Sequence, residues 1–246
     1  MKSNKKLAII TGASRGIGYA TASLFIEKGW QVISCSREPE IEQNNIDKNW
    51  IAHIPVNLAD AKSVDDFIKK VNKKIEDQPL GALINNAGMS PKADNKERLG
   101  CLNGDIDAWR GVFELNFYAP LSLGRGFASA LHKGAGAIVN VTSIAGHMIH
   151  PFAGSAYSSS KAALSALTRE MANEFASLNV RVNAVAPGEI STSMIQPEYE
   201  MLIPRIPLNR MGTPKDVART IYYLCSEDAG YVTGTEIWVT GGQHMS

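Results

Sequence analysis

Of the seven tyrosines in the chain, only Tyr157 is followed four residues later by a lysine, in Tyr157-Ser158-Ser159-Ser160-Lys161. The surrounding run is helical in character, and this spacing puts both side chains on one helix face. A phenol can give or take a proton at an oxygen. Its ordinary pKa of about 10 is too high for efficient exchange at neutral pH. Lys161 is expected to lower it. Bringing it near neutrality takes roughly 4 kcal/mol of differential stabilisation, which nearby positive charge in a partly dry site can supply. The spacing alone is weak, since a lysine stem lying along a helix and reaching for water gives the same pattern. Ser143 adds weight. It closes an apolar run, Ile138 to Ser143, that reads as a buried strand, and its hydroxyl would polarise a substrate oxygen at the strand's carboxyl end.

The elements that must position these three residues follow from the alternation of short apolar runs with longer amphipathic ones. Seven strands are predicted, at 7–10, 31–34, 51–56, 80–84, 137–141, 180–185 and 236–239. Helices are expected at about 18–28, 61–76, 107–132, 155–178 and 214–226. This is the rhythm of an α/β fold, a doubly wound parallel sheet with helices on both faces and strand order 3-2-1-4-5-6-7. Gly29 suits a left-handed helix end, and Thr213-Pro214 suits a cap followed by a first-turn proline. Pro55 cannot donate to a ladder, which makes the third strand an edge. Two long irregular segments, about 89–106 and 189–212, follow strands and fall on the ligand side.

Composition narrows the class. At 246 residues, 44% hydrophobic and 20% charged, the chain reads as one globular domain over 1–246. A formal charge of +1 offers no general attraction for nucleic acid or an anionic membrane, so a small ligand is the expected partner. Three scattered cysteines without a C-x-x-C pair argue against a disulfide framework and structural zinc, and imply a reducing cytoplasm. The apolar run after the basic start, Leu7 to Ile10, is too short for a signal peptide, and none reaches the roughly 18 residues of a membrane span.

After the first strand comes Thr11-Gly12-Ala13-Ser14-Arg15-Gly16-Ile17-Gly18, with a helix opening inside it. Glycines allow close backbone approach, and the helix start offers free N–H groups and a positive dipole to a pyrophosphate. The spacing is G-x-x-x-G-x-G, which differs from the general dinucleotide fingerprint. Gly12 to Gly16 also reads G-x-S-x-G, the nucleophile elbow of α/β-hydrolases. That reading is disfavoured because the elbow follows the first strand and lacks its oxyanion loop and late histidine. At the end of the second strand, in Cys35-Ser36-Arg37, Arg37 can pair with a ribose 2′-phosphate, and Arg15 is expected at the same group. NADP(H) is favoured. NAD(H) is the alternative, in which Arg37 is a solvated cation and Glu38 takes the ribose hydroxyl.

With these segments in view, the chain resembles the short-chain dehydrogenase/reductase family over essentially its whole length. The matching positions are the Thr11–Gly18 loop, Asn85-Asn86-Ala87-Gly88, Asn116, Ser143, Tyr157-x-x-x-Lys161, Pro187-Gly188 and the stretch from Gly234 to Gly242. The resemblance implies a Rossmann-type sheet, hydride transfer between nicotinamide and a carbonyl or alcohol, and a homotetramer or homodimer. It implies that Gly12, Ser14, Arg15, Gly16, Ile17, Gly18, Ser36 and Arg37 receive the cofactor. Asn86, Ala87, Gly88, Pro187, Gly188, Ile190 and Thr192 are implied along its ribose and nicotinamide side. Lys161 is implied to bond the nicotinamide ribose, and Asn116 to link Lys161 to solvent through water. Asn57-Leu58 stands where the family usually has an aspartate beside adenine; both are implied to bind the cofactor there, with the Asn57 side chain still offering an accepting carbonyl, and Tyr157 is implied to touch the cofactor beside Lys161. Read physically, Pro120 removes the N–H that would bond the Asn116 carbonyl, which predicts a kink there.

The expected function is reduction of a ketone or 3-oxoacyl group, or the reverse oxidation, with Tyr157 as general acid/base. A 3-oxoacyl-[acyl-carrier-protein] reductase is the specific alternative, and a non-catalytic dinucleotide sensor or scaffold the alternative from another class. His147 and His150 have zinc-like spacing without a third ligand, and no metal is expected. Gly188 is a candidate hinge for the loop beyond it. Lys92, Lys96 and Arg98 are candidates to cap a polar substrate, with a solvated loop as the plainer reading. Met194, Met201 and Met211 are candidates to line a pocket, with exposure equally in view.

Overall fold

The computed structural model describes residues 6–41, 47–93, 98–192 and 197–245. Seven parallel strands form one sheet: β1 Leu7–Thr11, β2 Gln31–Ser36, β3 Trp50–Pro55, β4 Leu80–Asn85, β5 Ala137–Val141, β6 Arg181–Pro187 and β7 Glu236–Val239. Their order is β3-β2-β1-β4-β5-β6-β7. Pro55 closes the edge strand β3, where its missing donor costs no ladder bond.

Alternation along the strands creates two cores. Leu7 and Ile9 on β1 face one layer with Leu83 and Ile138, while Ala8 and Ile10 face the other with Ile84 and Val139. Helices α2 (Ala61–Ile75), α4 (Ala119–Lys133) and α5 (Ser155–Phe175) cover the first face through Phe67, Phe127 and Met171. Helices α1 (Gly16–Glu27) and α6 (Pro214–Cys225) cover the second through Phe25 and Ile221. Every strand is buried on both sides except at the sheet's ends, which is why the runs read as nearly continuous apolar stretches.

Helix ends fall where their side chains can hold them. Thr213 and Asp216 bond each other's backbone N–H groups in a capping box at α6, and Gly29 adopts φ +83° just after α1. The stretch expected as one helix over 107–132 is three pieces. Helix α3 (Ile106–Phe113) runs into a π turn at Glu114–Tyr118 and then into α4, with the Ala119 N–H reaching the Glu114 carbonyl. The expected proline kink is thus a widened turn. Pro120 sits at the start of α4, where its missing donor is tolerated. The segment 189–212 holds a 3₁₀ helix, Pro197–Arg205, and no described helix is long and apolar enough to cross a membrane.

Candidate active site

The carboxyl ends of the parallel strands open on one cleft of about 340 Å³. Among the residues expected from sequence, Gly12, Ser14, Arg15, Gly16, Ile17, Ser36, Arg37, Asn57 and Leu58 line it at one end. Asn86, Ala87, Gly88, Ser143, Tyr157, Lys161, Pro187, Gly188, Ile190 and Thr192 line the rest. Gly18 and Asn116 lie behind its wall. The cleft thus joins the glycine turn to the tyrosine.

At the glycine turn, the first helical residue of α1 is Gly16, and Arg15 before it is extended and provides no side-chain cap. The leading N–H groups of a helix that no side chain satisfies are donors for an anion. Gly12 and Gly16 have φ of +66° and +60°, so the turn needs glycine at both. A Cβ on Gly16 would meet nothing nearer than the Thr192 side chain at 3.6 Å, so this backbone faces open cleft. A Cβ on Gly18 would lie 2.2 Å from the Gly12 carbonyl oxygen and 2.5 Å from Asn86 Nδ2, so this third glycine is required by packing.

Asn86 itself acts as a brace. Its amide donates to the carbonyls of Thr11 and Gly12 at 2.9 and 3.1 Å. The Thr11 hydroxyl accepts the N–H groups of Asn86 and Ala87, both at 3.0 Å. This knot ties the ends of β1 and β4, and sequence reading missed Thr11 because its partners are main-chain groups on a distant strand. Asn57 is held by a local bond. Its Oδ1 accepts the Ala59 N–H at 3.2 Å in a local turn, which takes one of the oxygen's two lone pairs and fixes its direction.

Near Arg37, the Glu38 carboxylate lies 3.9 Å from Arg15 and accepts from Ser14 Oγ at 3.4 Å. Its own backbone N–H, aided by Arg15 and Arg37, holds its pKa below the usual value. Both members of the Arg15–Glu38 pair are about half exposed, so the pair is weak and open to displacement.

The three side chains expected to carry the chemistry are brought together by close packing of β5 on α5. Strand β5 ends at Val141, two residues before Ser143. Ser143 caps a short 3₁₀ turn by accepting the Ala145 N–H at 3.1 Å. That turn sits against α5, since a Cβ on Gly146 would be 2.9 Å from the Ala162 nitrogen. Lys161 is buried, donates to the Val141 carbonyl at 2.6 Å and lies 5.7 Å from the Tyr157 ring centre. A Cβ on Gly88 would meet Lys161 Nζ at 3.3 Å and Asn116 Oδ1 at 3.4 Å, so glycine lets these two groups approach. Asn116, fully buried in the π turn, donates to Met89 O and Ser160 Oγ and accepts the Met89 N–H.

The expected lowering of the Tyr157 pKa is absent in the chain alone. Burial raises it, the Ser143 hydroxyl opposes this by hydrogen bonding, and the Glu189 charge raises it further. Lys161 gives one of its three N–H donors to the Val141 carbonyl, and burial pulls its own pKa down from 10.5 to about 8. Because the folded value lies below the unfolded one, the unfolded chain binds more protons between about pH 8 and 10.5, so the Lys161 contribution to stability rises with pH there. Below pH 8 both states carry the proton and the full burial penalty stands. Raised Tyr157 acts with the opposite sign, above its ordinary value of 10. In nucleotide-free protein, the melting temperature of wild type minus that of Lys161→Met is therefore expected to climb from pH 8 to 10. A flat difference would contradict a depressed lysine.

Several residues outside the sequence-based set are part of the site. His150 and Glu189 line the cleft beside Tyr157 as a buried pair, Nε2 to Oε1 at 2.7 Å. His147, the other member of the zinc-like spacing, pairs instead with Glu236 at 2.8 Å, so the two histidines part ways. Lys92 and Arg98, considered for capping substrate, donate to the carbonyls of Phe152 and Ala153 at 3.2 and 2.6 Å, clamping the segment before α5. Gly188 is packed, its N–H on Val239 O and a Cβ position 3.1 Å from Thr240 Cα, which is unlike a hinge. Met201 is exposed and, like Met211, does not line the cleft; Lys96 and Met194 lie outside the described residues.

Comparison with known proteins agrees with this fold. A family profile described as enoyl-(acyl carrier protein) reductase matches residues 12–244. Protein FixR of Bradyrhizobium diazoefficiens is 49% identical over 98% of this chain and 87% of its own length. The 3-oxoacyl-[acyl-carrier-protein] reductase FabG of Thermotoga maritima is 33% identical over 98% of this chain and 99% of its own. A crystal structure of a short-chain dehydrogenase/reductase from Brucella ovis, in complex with a partially ordered NAD, superposes with a TM-score of 0.81. It is 42% identical and covers 96% of this chain and 100% of that one.

Proposed function

The chain belongs to the short-chain dehydrogenase/reductase family of nicotinamide-dependent oxidoreductases, and from that premise we propose that it is an NADP(H)-dependent reductase of ketones or 3-oxoacyl groups, or catalyses the reverse oxidation, with Tyr157 as general acid/base. The observation that carries this reading is the convergence of Ser143, Tyr157 and Lys161 in the same cleft as an uncapped helix start lined by glycines. The uncapped N–H groups of α1 and the open face of Gly16 fit a pyrophosphate, and the walls at Gly88, Pro187 and Gly188 fit a nicotinamide ribose. A bound nicotinamide dinucleotide supplies or accepts the hydride. The protein's part is to hold the carbonyl oxygen between the Ser143 and Tyr157 hydroxyls and to deliver the phenolic proton to it as the carbon is reduced. Lys161 returns charge and protons to the tyrosine, with Asn116 fixing the wall behind it. The charge of an oxidised nicotinamide adds to that of Lys161 in drawing the phenol down, which the chain does not achieve by itself.

The choice of phosphate follows from Arg15 and Arg37. The weak Arg15–Glu38 pair is displaced by a 2′-phosphate, whose bonds to guanidinium are stronger. A specific observation favours the second reading, NAD(H): the Glu38 carboxylate sits where it repels a phosphate dianion and can accept from a ribose hydroxyl. Absorbance of the reduced nicotinamide, followed with NADPH and NADH against ketones, 3-oxoacyl thioesters and sugars, tests both. NADPH is expected to be preferred, Arg37→Ala to cost about tenfold of that preference, and Glu38→Ala to widen it by a similar factor. A wild-type preference for NADH would remove the Arg37 reading. Absence of turnover with every substrate, nucleotide binding being retained, would leave a dinucleotide sensor.

The same reading makes the whole chain, 1–246, one nucleotide-binding unit acting in the cytoplasm as a homodimer or homotetramer, which light scattering on the purified protein measures directly.

A further inference from the structure

The substrate end of the cleft contains a carboxylate that neither hydride transfer nor the tyrosine requires. Glu189 follows Pro187-Gly188 at the end of β6, and its main-chain carbonyl accepts the Gly212 N–H at 2.9 Å, which fixes its backbone. The residue is 4% exposed, yet it lines the cleft. Its side chain is held in a defined direction. His150 Nδ1 accepts the N–H groups of Phe152 and Ala153 at 3.2 and 3.1 Å, so the ring hydrogen sits on Nε2 and is donated to Glu189 Oε1 at 2.7 Å. Gln243 Nε2 donates to the same Oε1 at 3.2 Å. Both bonds fall on one oxygen, and Oε2 takes none from the described residues.

Oε2 is not sealed in the interior but is open to the cleft that Glu189 lines, where a substrate group able to donate would bond it. The cleft's cations do not answer it. Among the described residues Glu189 pairs with His150 and Gln243 and not with Lys161, and Arg15 and Arg37 line the glycine-turn end of the cleft. Proximity to the reacting centre is felt electrically, since the Glu189 charge is among the causes that raise Tyr157.

We propose that Glu189, oriented by His150, is the specificity-determining residue of the substrate end and selects a carbonyl or alcohol substrate bearing a hydrogen-bond donor, a hydroxyl or ammonium, beside the reacting carbon. The inference rests on the oxidoreductase reading for its substrate class. It also implies discrimination against a carboxylate at that position, since two anions would face each other without screening.

Two measurements test it. In the Tyr157→Phe holoenzyme, loaded with NADP(H) and unable to turn over efficiently, dissociation constants are obtained for butan-2-one, 3-hydroxybutan-2-one, 3-aminobutan-2-one and 3-oxobutanoate. At least one donor-bearing ketone is expected to bind about tenfold or more tighter than butan-2-one, and the keto acid more weakly. A preference confined to the amino ketone supports the proposal and identifies the donor as ammonium. In the active enzyme, the ratio of kcat/KM for the preferred donor-bearing ketone to that for butan-2-one is expected to fall by about tenfold in Glu189→Gln. His150→Gln, which restores an N–H donor toward the carboxylate, is expected to keep more of the ratio than His150→Ala, whereas a merely structural role would move melting temperature and leave the ratio alone. Equal binding of all four ketones, or a ratio unchanged by Glu189→Gln, overturns the proposal. Failure of the wild type to reduce any ketone overturns the oxidoreductase reading instead, and the binding constants still decide on Glu189.

Discussion

Tyr157→Phe is expected to lower turnover by about a thousandfold, at unchanged nucleotide affinity and with a melting temperature within a few degrees of wild type. The substitution removes one hydroxyl and leaves the ring, so the packing over Lys161 at 5.7 Å is kept. On the proposed role, what is lost is the proton donor at the substrate oxygen, an interaction used in the transition state, so the effect falls on kcat. Ser143 still polarises the carbonyl, which sets a residual rate. A variant retaining more than about a tenth of wild-type turnover would show that the proton comes from elsewhere.

Gly18→Ala is expected to do the second largest damage, and of a different kind. The new methyl would stand 2.2 Å from the Gly12 carbonyl oxygen and 2.5 Å from Asn86 Nδ2, two atoms already bonded to each other. Neither can retreat. The carbonyl belongs to the turn proposed to receive the nucleotide, and the amide braces β1 against β4 through Thr11 as well. Overpacking together with lost buried hydrogen bonds predicts destabilisation of about 2–4 kcal/mol and a melting temperature lower by about 5–15 °C. Nucleotide affinity, measured by titration, should drop by well over tenfold because the turn is displaced. Gly29→Ala provides the contrast. Its Cβ would meet nothing within 4 Å, and only its φ of +83° opposes alanine, so about 1 kcal/mol is expected without effect on nucleotide. If Gly18→Ala melts like wild type and binds nucleotide normally, the packing account of the third glycine is wrong.

Strand order, the edge position of β3 and the cleft at the strand ends were legible because each rests on local chemistry: apolar runs, a proline, glycines before a helix. The Tyr157, Lys161 and Ser143 constellation was legible by spacing and by resemblance. What escaped has a common cause, dependence on partners far away in the chain. Glu189 and His150 are thirty-nine residues apart, and the histidine's short-range spacing to His147 gave no hint of the carboxylate. Lys92 and Arg98 read as free loop cations because main-chain carbonyls, their real acceptors, leave no mark in a sequence. The tyrosine's pKa was expected to fall through nearby positive charge, whereas burial and the Glu189 charge raise it against the Ser143 hydrogen bond.

The π turn at Glu114–Tyr118 has a geometric effect that reaches beyond Asn116. One additional residue in a helical turn advances the following side chains by about 100° around the axis. Helices α3 and α4 are therefore two gratings on one rod, set out of phase. The first directs Val112 and Trp109 toward Leu99 and Ala156 near the mouth of the cleft, and the second directs Leu123, Phe127 and Leu131 into the sheet. The turn is where the phase slips. It lets one rod serve two surfaces that a uniform helix would satisfy only one at a time, and it sets Asn116 at the slip itself, facing Met89 and Ser160 from both sides.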